Sequence, residues 1–412
     1  MNTQTTTPTS WQNVRRIELD WLRVLAFGLL IFYHVGMLYT ADWGWHYKSS
    51  YSSEFLQNIM LWSNQWRMLL LFLISGVAVS YLLESMSYWR FYLTRHSKLF
   101  LPLAFGMTVV VVPQVYVEMS AKGLIEGVGY GEFWLAYLDQ SSLLFSQAKT
   151  VGDFHITWNH LWFLMYVFSY SVIMWLFFPL LNAQFIRPMW RWVSEHTPRW
   201  ALVVGPIVVL YIFGWWLYNA YPTTHAFVDD WHNHAKSFTC FLLGFALVRS
   251  PRLWTSIASM RWATLIAALL TYAYALFAFN GGSLGEGTFF GELNGLLWSA
   301  NSWLWLITIV AWAQHTLTKS NPLLKYLNGG VYCFYILHQT IIIAVAFYLV
   351  PLEMGAVLEP MLVITATFGF SVMGYELIRR TPYISALFGV KQKKISVPRS
   401  TSSGSPSLNV PA

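Results

Sequence analysis

The chain is 412 residues long, 56% hydrophobic and 18% aromatic, with charged side chains at only 10%. A soluble domain carries about 25% charged residues, so this composition is that of a polytopic membrane protein. The net charge of +7 would suit a nucleic-acid partner, but its distribution along the chain gives it another meaning.

A polar segment over residues 1–18 precedes the first apolar run. That run has no small-residue cleavage site, so it reads as a retained helix and not as a signal peptide. Ten candidate spans follow in order: 19–39, 62–83, 98–117, 160–181, 200–219, 236–249, 262–279, 293–314, 331–350 and 360–378. The fold expected is all-α, a polytopic membrane helix bundle of about ten transmembrane helices, with one transmembrane domain over 19–380. With the N-terminus inside, outer segments hold only Lys48, Lys122, Lys149 and Lys236, and inner segments hold nineteen of the 25 basic residues. This asymmetry places both termini in the cytoplasm and leaves no support for nucleic-acid binding. Arg23 and Arg67 remain, inside spans, unexplained by topology.

The longest outer loop, 118–158, includes Glu132 to Leu138 as a short interfacial helix. The loop 220–235 gathers His225, Asp229, Asp230, His232 and His234, and reads as solvated or acceptor-contacting rather than as a metal site. The loop 280–292 is Gly-rich and expected to be flexible. The tail, 381–412, is basic and then Ser/Pro-rich, with disorder expected after Val390. Cys240 and Cys333 fall near opposite surfaces, too far apart to bridge, and read as small buried hydrophobes.

Arg23 and His34 are eleven residues apart, within about 20° of three full helical turns and about 16 Å along the axis. They share one stripe, which is costly in hydrocarbon unless it faces a polar cavity. The bland alternatives are that Arg23 snorkels to the inner surface and His34 packs; Asp20 is placed to pair with Arg23. Arg67 lies near the depth of His34, and Ser75-Gly76 near that of Arg23. A Ser-Gly pair admits a neighbouring helix, the commoner case, or a ligand. Arg95 and Lys98, in the basic run ending at Pro102, anchor the inner surface or face a phosphate. His160 and Trp162 open the fourth span, and Tyr332, Tyr335 and His338 form a polar stripe on the ninth that points into the bundle.

These residues together resemble membrane acyltransferase family 3. The matches are Leu19-Asp20-Trp-Leu-Arg23 with ten residues and then His34, Phe72-Leu-Ile-Ser75-Gly76, the basic run ending at Pro102, His160-Leu-Trp162-Phe-Leu and Tyr335-Ile-Leu-His338. They follow one another over about residues 15 to 380, and the Arg-x10-His pair is the most specific of them. Within the family the chain is most similar to transferases that succinylate periplasmic glucans, through Arg67-Met, the His160 string, and Tyr375-Glu376 leading to Pro382 and Leu387-Phe388-Gly389. It departs in having Arg95-His-Ser-Lys98 where many members have a run of arginines. It also lacks the hydrolase-like domain some relatives carry, so it is expected to complete transfer alone.

The resemblance implies an integral protein of the bacterial inner membrane. Its donor would be an acyl-CoA, succinyl-CoA among the candidates, entering from the cytoplasm as a substrate, with no tightly bound cofactor. Its acceptor would be a hydroxyl of a glucan or related glycan on the outer side. His34 would be the general base and Arg23 would hold donor phosphates or developing negative charge. Arg67 would meet a succinyl carboxylate or the sugar. His338, Tyr332 and Tyr335 would line the donor path from inside, with Ser75, Gly76, Arg95, Lys98, His160 and Trp162 as further substrate contacts. No nucleophile elbow, zinc-protease motif or phosphate-binding loop is present. The alternatives are a transporter of a glycan or small anion, and a catalytically silent partner for glycan export; neither an inverted repeat nor interrupted half-helices stand out to favour transport.

Overall fold

The structure, a computed structural model, describes residues 16–145, 155–282 and 289–392. Most of the N-terminal segment, the centre of the Gly-rich loop and the tail beyond 392 lie outside the described residues. The chain runs through α1 (Ile17–Gly36), α2 (Glu54–Asn64), α3 (Arg67–Ser85), α4 (Tyr88–Arg95), α5 (Leu101–Phe105), α6 (Val112–Ala121), α7 (Tyr130–Leu138) and α8 (Trp162–Leu181). It continues through α9 (Ile186–His196), α10 (Ala201–Leu217), α11 (Trp231–Leu247), α12 (Pro251–Ser259), α13 (Arg261–Phe279), α14 (Phe289–Thr316), α15 (Pro322–Leu349), α16 (Leu358–Ile378) and α17 (Pro382–Leu387). Among the described residues all regular structure is helical.

Among the described residues, eight helical stretches are long and apolar enough to cross a membrane: Ile17–Tyr39, Glu54–Ser85, Tyr88–Ala121, Asn159–Leu181, Arg261–Phe279, Leu293–Thr316, Pro322–Leu352 and Leu358–Ile378. The fifth and sixth expected spans are the helices α10 and α11, each of 17 residues. That length is about the least that crosses the hydrocarbon. The chain bends by 113° between α9 and α10. The short α9, with Trp192 and Met189 exposed beside Arg187 and Arg191, has the character of an interfacial helix.

Three boundaries shift in ways that matter for the site. The second span breaks at Gln65 and Trp66, so Arg67 is the first residue of a fresh helix. The third span contains two π-helical stretches, His96–Phe100 and Gly106–Val110, with Leu101 N–H reaching His96 C=O and Val111 N–H reaching Gly106 C=O. Pro102 and Pro113 follow them. A proline removes one N–H and crowds the carbonyl four residues back, and the wider turn relieves both. The ninth span starts at Pro322, nine residues before the expected edge, because the Asn321 side chain accepts from Leu324 N–H at 2.7 Å and caps the helix.

The start of the tail, ahead of the point where disorder is expected, is ordered. Residues 381–390 carry α17, Phe388 and Val390 are buried, and the Phe388 ring meets that of Phe105 at 5.4 Å. Apolar side chains there had a surface of the third span to cover, and that supplies the stability composition alone did not suggest.

Candidate active site

The outer end of α1 is fixed before it meets anything else. Lys48 Nζ donates to the carbonyls of Met37 at 3.0 Å, Trp43 at 3.2 Å and Thr40, and so places a cation on the negative end of the helix. Gln57 Nε2 donates to Asp42 at 3.1 Å, and Asp42 N–H donates back to Gln57 at 2.9 Å. The loop held this way lays the Trp45 ring on His34, with centroids 5.2 Å apart and planes 28° apart.

On its other side His34 meets His338, with Nδ1 and Nε2 separated by 2.7 Å. The sequence reading put His338 on the inner part of the path; the structure puts it at the outer depth, beside His34. The longer α15 accounts for this. His338 lies about 24 Å along α15 and His34 about 26 Å along α1, and the two helices run the same way. His338 Nδ1 lies 2.7 Å from Tyr335 C=O. A carbonyl only accepts, so Nδ1 carries the proton and neutral His338 turns a lone pair at Nε2 toward His34. His34 then donates from Nδ1, and its own Nε2 keeps the lone pair.

His160 is occupied on both nitrogens: Nε2 donates to Ile336 C=O at 3.1 Å and Nδ1 accepts from Gln114 Nε2 at 3.4 Å. Tyr335 Oη donates to the His160 carbonyl, so these two residues lock the start of α8 to α15. Gln114 also accepts from Gln339 at 3.0 Å and from Asn159 at 3.1 Å. Gln339 in turn donates to His46 Nε2 at 3.1 Å, and His46 Nδ1 donates to Glu118. Sequence reasoning passed over His46, Gln114 and Gln339. The polar Gln114 and Gln339 inside apolar runs were the available signal; the His46–Glu118 pair, 72 residues apart, left none.

These groups surround a cavity of about 750 Å³ under the loops that carry Trp45, Trp158 and His225. His34, Arg67, His160, Trp162 and Tyr335 line it, together with Lys236 and a wall of amides and hydroxyls that includes Asn64, Gln65, Thr224, Ser237 and Ser302. Arg67 is only 6% exposed and stacks on the ring of Tyr33, the neighbour of His34, with Cζ 3.3 Å from the centroid. His225 stacks on Trp162 at 4.1 Å. Burial pushes the His225 imidazole down to about 4; Lys236 and Arg67 push the same way and Asp230 pulls back.

The loop carrying His225 is not solvated throughout. Asp230 is fully buried and accepts from Tyr166 Oη, Asn233, and the N–H groups of Thr224 at 2.9 Å and His225 at 3.1 Å. His234 bonds Phe227 C=O at 2.8 Å and Tyr170 Oη at 3.0 Å, away from His232. Among the described residues no group of three or more His, Cys, Asp or Glu is placed to hold a metal.

The inner end is separate. Arg23 Nη1 donates to Asn328 Oδ1 at 3.3 Å, and Asn328 Nδ2 donates to Asp20 Oδ1 at 2.9 Å. Arg95, 7% exposed, has Arg23 and Tyr332 as electrostatic neighbours, and its Nε and Nη2 have no protein partner. Lys98 does not join them in the same way, because its Nζ is held by Gly389 C=O at 3.1 Å. Between the two levels four rings close the bundle: Phe27 meets Tyr335 at 5.2 Å, Phe72 meets Phe163 at 4.9 Å, and Phe163 meets Tyr335 at 6.1 Å. The stripe of α1 therefore borders two polar sites with an aromatic floor between them, not one open passage.

Gly76 lies in neither site. A Cβ there would strike the backbone carbonyl of Phe241, and a Cβ on Gly244 would strike that of Leu73, so α3 and α11 touch backbone to backbone. Ser75 beside it is half-buried. Both cysteines are buried and free.

The sequence model of acyltransferase family 3, described as an acyltransferase domain, matches residues 16–376. No curated protein and no solved structure matches the chain.

Proposed function

The chain belongs to acyltransferase family 3, and we propose that this multi-pass membrane acyltransferase moves a succinyl or similar acyl group from cytoplasmic acyl-CoA to a hydroxyl of a periplasmic glucan. The observation that carries the reading is the His34–His338 contact at 2.7 Å, which leaves His34 Nε2 unprotonated at the outer cavity. In the proposed reaction His34 Nε2 takes the proton of the acceptor hydroxyl as its oxygen attacks the thioester carbon. The C–O bond forms, the C–S bond breaks, and the CoA thiolate recovers the proton from the His34 imidazolium. No free acid or water is needed for the balance.

Arg23 and Arg95 support donor binding at the inner end, where guanidinium groups meet phosphates in bidentate geometry. The amide- and hydroxyl-rich wall of the outer cavity, which Trp158 and Trp162 also line, supports a sugar acceptor. The choice of a glucan and of succinyl rests on the likeness to glucan biosynthesis protein C at Arg67-Met, His160-Leu-Trp-Phe-Leu and Tyr375-Glu376, and so does the bacterial inner membrane as its location.

Purified protein given labelled succinyl-CoA and periplasmic glucan should form glycan ester in detergent. Arg23→Gln should raise the KM for the donor. Ester formation at the wild-type rate in folded His34→Gln protein would overturn the mechanism. Mass spectra of periplasmic glycans from a strain lacking the protein would identify the missing acyl group and acceptor.

A further inference from the structure

The outer cavity carries two cations: Arg67, for which the resemblance implies a succinyl carboxylate or the sugar, and Lys236, to which the acyl-transfer reading gives no role. Arg67 is buried, and its Nε and Nη1 have no protein partner. Lys236 lines the same cavity and, among the described residues, makes no hydrogen bond or ion pair. Both lie close enough to His225 to disfavour its protonation. No Asp or Glu is among the described residues lining the cavity.

Asp230 is the carboxylate that acts electrostatically on Lys236, but its oxygens are taken up by other groups. Asp230 is saturated by Tyr166, Asn233 and two backbone N–H groups, and Glu118 by His46 and Lys122. Leaving a guanidinium buried without a counter-charge is strongly destabilising in a folded protein. A ligand anion is the partner that the cavity itself lacks.

We propose that Arg67 and Lys236 form an oxyanion subsite, which holds a carboxylate or phosphate group of a reactant next to His34. This rests on the acyl-transfer reading only in assigning the anion to a reactant; anion binding itself needs no turnover. Two sources would present this chemistry: the free carboxylate of a dicarboxylic acyl chain, or an anionic group on the glycan. The polar side chains around it, Asn64, Thr224 and Ser237, would accommodate either.

The test is calorimetric titration of the purified full-length protein with four probes: monomethyl succinate, its neutral dimethyl ester, glucose 6-phosphate and glucose. The subsite predicts that at least one anionic probe binds ten-fold or more tighter than its neutral counterpart. Tighter binding of monomethyl succinate assigns the anion to the acyl chain, and tighter binding of glucose 6-phosphate assigns it to the acceptor. Lys236→Met should lose the preference and Lys236→Arg should keep most of it; this pair holds even if Arg67→Gln fails to fold. Equal binding of charged and neutral probes by the wild type, or an undiminished preference in Lys236→Met, would overturn the proposal. Ester formation by the same preparation, measured separately, shows whether acyl transfer stands when the subsite falls.

Discussion

His34 Nδ1 and His338 Nε2 lie 2.7 Å apart, and the carbonyl of Tyr335 fixes which of them carries the proton. Two neutral rings are ordered by a group that can only accept. The consequence is a single tautomer of His34, with its Nε2 free for a substrate hydroxyl. His338 is accordingly a positioning residue. His338→Ala should lower kcat by about 10- to 100-fold while leaving both KM values near wild type, and should alter the pH profile of kcat. His338→Gln, whose amide oxygen can still accept from His34, should recover part of the rate. Steady-state kinetics across pH checks this, and a purely structural role for His338 would show as a loss of folded protein with an unchanged profile.

The ring floor predicts a resting state closed between donor and acceptor sites. Leu30 lines the outer cavity, whereas Phe27, one turn further in, is part of the floor. In variants with one added cysteine, Leu30→Cys should react with a charged thiol reagent added from outside, and Phe27→Cys should be protected from both sides. Acyl-CoA should increase labelling of Phe27→Cys several-fold, because the thioester has to pass this level. The native Cys240 and Cys333 are buried and give little background.

Gly76 and Gly244 make reciprocal backbone contacts, so each tolerates no side chain without separating α3 from α11. Gly76→Ala or Gly244→Ala should destabilise the protein by about 1–3 kcal/mol, as overpacking does. Combining them should cost less than the sum, since one displacement relieves both. Thermal melts in detergent measure both effects.

His225 favours its neutral form in the folded protein, with a pKa of about 4, against about 6.5 for the unfolded chain. Above pH 6.5 both states are neutral and the residue has no effect on the pH dependence. As pH falls from 6.5 towards 4 the unfolded chain takes up a proton that the folded loop resists, so stability declines through that window. The Tm should therefore drop by several degrees between pH 7 and pH 5, and His225→Phe, which keeps a ring on Trp162, should flatten the decline.

The pairing of Arg23 with His34, and of Tyr335 with His338, was legible because helical periodicity fixes which residues share a face. The depth of Arg67 followed from counting along the second span. What periodicity does not contain is where a helix begins and which helix it meets. Asn321 and Pro322 lengthened α15 and moved His338 outward to His34. Helix packing is the commoner role for a Ser-Gly pair, but only the crossing with Gly244 excludes a ligand contact at Gly76. His46 and Glu118 come together only through the folded loop after α1, and Phe388 acquired a partner only when α17 packed on Phe105.

The central claim is that His34 moves the acceptor proton in the outer cavity while the donor arrives from the inner side. Proteoliposomes oriented with the inner face outward, glucan sealed inside and labelled succinyl-CoA added outside, test it directly. Wild-type protein should deposit labelled ester on the enclosed glucan, and His34→Gln protein of equal folding and orientation should deposit at least 100-fold less. Comparable ester on the enclosed glucan from both proteins would contradict the account.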